Sequence, residues 1–222
     1  MDKRELKITA DGSHTLFIPE LDETYHSTHG AIQEAKHVFI EAGLNYIDEK
    51  KLNILEIGFG TGLNAFLTML EANRMKLKVN YFSLEAFPLD IEIINQLNYN
   101  KELSSKAKEI QLFNKLHFVA WERLEEITTN FSLKKQKIAL AEFIPNEKFD
   151  LIFFDAFGPR VQPEMWTKEI FENMYNSLNE NGVLVTYCAK GSVKRTIKEV
   201  GFKLESIPGP PGKREMSRAI KL

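Results

Sequence analysis

The stretch L-N-I-L-E-I-G-F-G-T-G-L, from Leu52 to Leu63, changes its period midway. Ile54, Leu55 and Ile57 form a short apolar run, and glycines then occupy alternate positions, Gly58, Gly60 and Gly62. Immediately afterwards Leu63, Phe66, Leu67 and Leu70 recur at helical spacing on one face. A buried parallel strand, a tight turn and an amphipathic helix are expected in that order. Without a Cβ, the backbone of such a turn can approach a ligand closely.

A dinucleotide needs G-x-G-x-x-G, with the third glycine packing helix on strand and the pyrophosphate on the helix N-terminus. Leu63 stands where that third glycine would be. Glu56, two residues before the first glycine, is expected to point a carboxylate towards the loop, where it would repel a pyrophosphate and attract an ammonium. S-adenosylmethionine carries an amino-acid tail with an ammonium, a sulfonium charge and no phosphate. The pattern E-x-G-x-G-x-G resembles the first motif of class I S-adenosylmethionine-dependent methyltransferases. That resemblance implies an α/β fold, a Rossmann-like doubly wound seven-stranded sheet, here with a small N-terminal β-hairpin extension.

The 222 residues, 43% hydrophobic, suffice for one globular domain with a substantial core. Residues 1–50 read as a hairpin and helix packed on a core of residues 51–222. The net charge of −2 does not by itself demand nucleic acid. Its distribution is uneven: from Thr186 to Leu222 nine Lys or Arg face three acids, a local balance of +6, which leaves −8 for the rest. A basic end on an acidic body suits an anionic partner on one face. The single cysteine, Cys188, excludes an internal disulfide framework and suits a reducing cytoplasm. No N-terminal stretch reads as a signal peptide and no run reaches transmembrane length, so no membrane association is expected.

Leu6–Ile8 and Thr15–Ile18 flank Asp11-Gly12-Ser13 as a hairpin. A helix from about Ala31 to Ala42 follows, with Ala31, Ala35, Val38, Phe39 and Ala42 inward and Ser27 or Thr28 as its cap. His26 and His29 lack a supporting ligand cluster, so pocket lining is expected of them rather than metal binding. Val79 to Leu84 is the second strand. It ends at Glu85, a carboxylate placed to bind a ribose diol. Residues Asp90 to Glu126 read as helical or irregular, and a third strand is expected between Phe131 and Phe143, with no acid at its end to contact adenine. Phe149 to Phe154 is a fourth, apolar strand, delivering Asp155 to the carboxyl edge of the sheet. Pro163 opens a helix with Trp166, Ile170, Phe171 and Met174 inward. Three more strands, at about Gly182–Tyr187, Phe202–Ile207 and Met216–Leu222, complete the alternation of a mostly parallel sheet.

Methyl transfer needs a neutral nucleophile in line with the methyl group, and the protein mainly supplies position. Asp155, followed by an aromatic residue and a proline, resembles the Asp/Asn-Pro-Pro-aromatic loop of amino-group methyltransferases. An alkylamine acceptor has a free pKa of about 10, so it arrives as an ammonium that Asp155 can hold. An unperturbed carboxylate is a poor base for it, and burial among Phe154, Phe157 and Trp166 would improve it. Cys188 has no paired base and reads as a buried, inert thiol.

Several segments resemble one family together: E-T-Y-H-S-T-H-G-A-I-Q-E-A-K-H-V-F-I, L-E-I-G-F-G-T-G-L-N, S-L-E-A-F-P-L, F-F-D-A-F-G-P, G-V-L-V-T-Y-C-A-K-G-S-V-K-R and P-G-P-P-G-K-R-E-M. They are similar to the methyltransferase domain of the MnmC family, whose stand-alone form is called MnmD, over nearly the whole chain. The resemblance implies methylation of the primary amine of 5-aminomethyl-2-thiouridine at the tRNA wobble position, with S-adenosylmethionine as cofactor. It implies Asp155 as the catalytic carboxylate. On the cofactor side it implies Glu56, Gly58, Phe59, Gly60, Thr61, Gly62, Asn64 and Glu85, with Asp155 adjoining. Tyr25, Ser27, Phe157, Pro159, Lys190, Arg195, Lys213 and Arg214 are expected on the tRNA side, the four basic residues as phosphate or pocket contacts. Two-domain relatives carry a flavin-dependent oxidase; here neither FAD nor a metal is expected, and an aminomethyl-uridine-generating pathway must supply the substrate. A methyltransferase or aminopropyltransferase acting on another amine remains open, as does a catalytically silent tRNA-binding module. Cofactor binding by calorimetry separates the last from the others.

Overall fold

The computed structural model describes residues 4–104 and 106–222. First comes a small antiparallel sheet, β1 (Glu5–Ile8), β2 (His14–Ile18) and β3 (Glu23–Thr24). Its first turn is closed by Asp11, whose Oδ1 accepts from the Ser13 amide at 3.1 Å and from the Thr9 hydroxyl at 2.7 Å. The same turn caps the next helix. Asp11 Oδ2 accepts from the Gln33 amide at 2.9 Å and Thr9 Oγ1 from the Ala31 amide at 3.3 Å. Ser27 and Thr28 therefore do not cap that helix; the Ser27 hydroxyl accepts from the His29 amide instead. The helix itself is α1 (Ala31–Ala35), which widens into a π-helical segment, Lys36–Glu41. Gly30, at φ 144°, leaves no room for a Cβ beside the Asp11 carboxylate.

Among the described residues the main sheet has eight strands: β4 (Lys51–Ile57), β5 (Lys78–Leu84), β6 (Leu124–Thr128), β7 (Phe131–Gln136), β8 (Phe149–Phe154), β9 (Leu178–Thr186), β10 (Lys203–Pro208) and β11 (Glu215–Ile220). Their order is β10-β11-β9-β8-β4-β5-β7-β6. β9, β8, β4, β5 and β7 run parallel, whereas β11 is antiparallel to both its neighbours and β6 is antiparallel to β7. The seven expected strands are present, and β6 is an eighth. It straddles the end of the segment read as helical or irregular, and its residues, L-E-E-I-T, bury only Ile127. An edge strand with one solvated face carries little apolar signal.

Helices cover both faces. On one lie α1, α2 (Leu63–Met75) and, beyond two short helices, α3 (Ile91–Ile94) and α4 (Tyr99–Leu103), the longer α5 (Ala107–Phe118). On the other lie α6 (Lys168–Ser177) and α7 (Gly191–Val200). The Pro163–Trp166 segment is a separate 3₁₀ turn; α6 begins only after Thr167, whose hydroxyl accepts from the Ile170 amide. Alternation along the strands divides the core. Ile54, Tyr81 and Phe153 pack beneath α2, whereas Leu55, Phe82 and Phe154 pack beneath α6. The central strands are thus apolar on both faces, as a parallel sheet requires. No helix among the described residues is long and apolar enough to cross a membrane.

Candidate active site

The carboxyl ends of β4, β5 and β8 open into a cavity of about 710 Å³, within the size range of small-molecule sites. The glycine turn supplies one wall, Gly58, Phe59, Gly60 and Thr61, followed by Asn64 of α2. Glu85 to Phe87 after β5, Ile138 to Ala141 after β7 and Asp155 to Gly158 after β8 supply the others. Tyr25, His26, Ser27 and Thr28, in the segment after β3, roof it, and Glu34, Tyr187 and Lys213 close the far side.

The turn needs its glycines for two separate reasons. Gly58, Gly60 and Gly62 all have positive φ, at 92°, 47° and 73°. A Cβ on Gly58 would lie 3.2 Å from the Asp155 carbonyl, and one on Gly60 would lie 3.2 Å from the Tyr25 ring, which packs directly over the turn. Gly62 differs: it does not line the cavity, and a Cβ there would meet the His117 ring at 2.8 Å. It is the turn's structural end, where the chain enters α2. The Gly58 and Phe59 amides both donate to the Leu84 carbonyl, and the Gly60 amide donates to Glu85 Oε2 at 2.9 Å. Glu85 Oε1 accepts from the Phe87 amide at 2.8 Å, so the carboxylate is fixed at the cavity edge.

Glu56 is turned elsewhere. Strand alternation puts it on the same face as Ile54, and it pairs in register with Ser83. It is fully buried, takes a 2.5 Å hydrogen bond from the Ser83 hydroxyl and does not line the cavity. Burial raises its carboxyl well above the usual range, against the Ser83 hydrogen bond. The expectation that this carboxylate faces the loop is corrected: the acid sits in the core beneath α2.

Asp155 continues β8 on that same face. Its Oδ2 accepts from the Asn64 side-chain amide at 2.8 Å. Burial pushes its carboxyl up from 3.8 to about 7; the Asn64 hydrogen bond and the Lys213 charge work in the opposite direction, and the Glu34 charge adds to the rise. Phe157 packs edge-on against Tyr25, with ring centroids 5.2 Å apart, and the Trp166 indole donates to the Phe157 carbonyl at 2.8 Å. An aromatic wall therefore stands beside the carboxylate.

The expected tRNA-side residues divide into three groups. Tyr25, Ser27, Phe157 and Lys213 line the cavity. Lys190 and Arg214, both exposed, share with Lys213 a shallow depression beside it. Pro159 and Arg195 line neither. Lys213 is not a free surface cation: its ammonium is 2.5 Å from Glu34 Oε1 and 3.9 Å from the centre of the Tyr187 ring. His26 lines the cavity and is kept neutral by burial, its pKa lowered to about 4. The His29 ring packs against Gly212. Cys188 is buried, and burial raises its thiol pKa.

Two ionisable residues escaped the sequence reading. Glu34 sits at i+3 from Ala31 and i−4 from Val38, on the buried face of α1, and that spacing was the available signal. Lys135 lies on the inward side of β7, where burial alternates strictly. Its ammonium donates to the His117 carbonyl at 2.6 Å and lies 5.3 Å from the Phe59 ring centre. Burial lowers its pKa to about 8.

Residues 101–222 match the family described as S-adenosyl-L-methionine-dependent methyltransferase. Over 214 residues the chain is 33% identical to the tRNA 5-methylaminomethyl-2-thiouridine biosynthesis bifunctional protein MnmC of Leptospira interrogans, an alignment covering 89% of this chain and 32% of that protein. The chain thus spans about a third of the length of the curated relatives it matches. Among solved structures, MnmC2 from Aquifex aeolicus is 29% identical, with a TM-score of 0.78, covering 99% of this chain and 70% of that one. Spermidine synthase from Thermotoga maritima shares the fold at 14% identity, with a TM-score of 0.56, covering 99% of this chain and 71% of that one.

Proposed function

From the premise that the chain belongs to the S-adenosyl-L-methionine-dependent methyltransferases, we propose that it methylates the primary amine of 5-aminomethyl-2-thiouridine at the tRNA wobble position, giving the 5-methylaminomethyl form. The observation that carries this reading is Asp155, a carboxylate shifted to about 7 at the end of β8, between the glycine turn and the Tyr25–Phe157 aromatic wall. An amine that must lose a proton, attached to a flat base, matches that combination of acid and rings.

The residues around the turn suit the cofactor. The bare backbone at Gly60 lets the Tyr25 ring pack over the turn, where a Cβ would push it away. We assign the amino-acid tail to the turn and Asn64, the ribose to Glu85, and the adenine to the backbone and apolar side chains of Ile138 to Ala141. Glu56 and Gly62 support this wall from behind. When bound, S-adenosylmethionine supplies a methyl group on a sulfonium, which the acceptor nitrogen's lone pair takes as the sulfur keeps the carbon–sulfur electron pair.

Asp155 holds the acceptor nitrogen and accepts its proton. A free alkylamine near pKa 10 differs from an ordinary carboxylate by about six pH units. Against a carboxyl near 7 the gap is about three, so proton transfer within the site is far less uphill. The Tyr25 and Phe157 rings pack on the base and keep water from the nitrogen. Lys190 and Arg214 are the exposed cations that meet the tRNA backbone. One buried cysteine and a tRNA substrate suit a reducing cytoplasm. Nucleoside mass spectrometry of tRNA bearing the aminomethyl nucleoside, after incubation with protein and S-adenosylmethionine, tests the reading: one added methyl is expected, and an unmethylated nucleoside despite bound cofactor would move the acceptor to another amine.

A further inference from the structure

We propose that Glu34 and Lys213 act as a positioning pair, a carboxylate–ammonium couple built into the cavity wall whose opposed charges balance at Asp155, so that losing either member alone shifts the protonation of Asp155 and with it loss of the acceptor's proton. The proposal rests on the amine-methylating reading above and deepens it.

The geometry is a connected chain. Glu34 is 7% exposed, yet it lines the same cavity as Asp155. Its Oε2 accepts from the Ser27 amide at 2.8 Å and its Oε1 from the Lys213 ammonium at 2.5 Å. That ammonium rests on the Tyr187 ring, and the Tyr187 hydroxyl donates at 2.8 Å to the carbonyl of Ala156, the residue after Asp155. The π-helical segment after α1 adds a second tie, since His37 Nε2 lies 2.8 Å from the Pro208 carbonyl at the base of the loop carrying Lys213. The pair is therefore fixed relative to the end of β8. An exposed lysine at such a place would be worth little; a lysine bonded to a buried carboxylate is not free to leave.

Opposed charges act on Asp155 from this pair: the Glu34 carboxylate raises its carboxyl and the Lys213 ammonium lowers it. The other titratable groups facing it are Glu56 from β4, Tyr81 from β5 and Tyr187 after β9. His26 faces Glu34 and Lys213 but stays neutral. When the acceptor's N–H proton passes to the Asp155 carboxylate, the electron pair stays on nitrogen and the carboxylate becomes the acid. Bonded to Glu34, the Lys213 ammonium adds no net charge to the cavity; alone it would hold Asp155 ionised, and Glu34 alone would hold it protonated.

The test is a ¹³C NMR titration of the aspartate side-chain carboxyls in the purified protein, with Asp155→Asn assigning the resonance. Glu34→Gln is expected to lower the Asp155 midpoint by about one pH unit and Lys213→Met to raise it by a similar amount. The double variant should return near the wild type, and Lys213→Arg should stay there. If Lys213→Met does not fold, Glu34→Gln and the charge-free double variant carry the comparison. Midpoints unchanged in all variants, or moved in the same direction by both single changes, would overturn the proposal. Because no substrate is present, a negative result here is separate from failure of the tRNA reading, which mass spectrometry decides.

Discussion

The Asn64 side-chain amide donates to Asp155 Oδ2 at 2.8 Å, so the first turn of α2 holds the carboxylate at the end of β8. The bond favours the ionised acid and limits the rise that burial causes. Asn64→Ala should move the acid limb of the pH–rate profile upward and reduce turnover at neutral pH by about tenfold, a typical cost for one misoriented catalytic group. An unchanged profile would remove Asn64 from the handling of this charge.

The Tyr25 ring packs directly on Gly60 at the wall of the cavity. Gly60→Ala places a Cβ 3.2 Å from the ring at a φ of 47°. Folding should lose only about 1 kcal/mol, since a non-glycine residue tolerates that region at modest cost. Cofactor affinity by calorimetry should fall by at least about tenfold, equivalent to ~1.4 kcal/mol. Equal affinity in a folded variant would mean that the cofactor does not approach this part of the turn.

Asp155 also imposes a pH dependence on stability. Its folded value of about 7 lies above the ordinary 3.8, so folding favours the protonated acid. That contribution is fully present below the unfolded value and is lost as pH rises through the folded one. Asp155→Asn, uncharged throughout, should melt with the wild type near about pH 4 and above it, by a few degrees, once pH exceeds roughly 7. A constant difference across the range would contradict the assignment.

Much of this site was legible before the structure. The shift from apolar run to alternate glycines at Gly58 and Gly60 fixed the strand, the turn and α2, and the apolar run before Asp155 fixed its place at the sheet edge. Other features escaped for physical reasons. Glu56 sits two residues before a glycine, but strand alternation turns it to Ser83 and the core. In the sequence Lys213 reads as one of four basic tRNA-side contacts; only the fold brings Glu34, distant in sequence, against it. Glu34 and Lys135 are charges on inward faces, which burial pattern alone can place and only a partner across the fold can explain. β6 pairs along one edge and buries one residue, too little to mark a strand.

The cations now separate by role. Lys190 and Arg214 are exposed beside the cavity, whereas Lys213 is committed within it. Lys190→Ala combined with Arg214→Ala should weaken tRNA binding and reduce its salt slope by about one to two, leaving cofactor affinity unchanged. A slope equal to the wild type would place the tRNA backbone on another face.

Methylation of the acceptor amine is tested most directly by nucleoside mass spectrometry of tRNA carrying 5-aminomethyl-2-thiouridine, incubated with the protein and S-adenosylmethionine, beside the Asp155→Ala variant. The expected result is one added methyl on that nucleoside with the wild type and none with the variant, while calorimetry finds the cofactor bound by both. An unmodified nucleoside with the wild type, or equal methylation by the variant, would contradict the account.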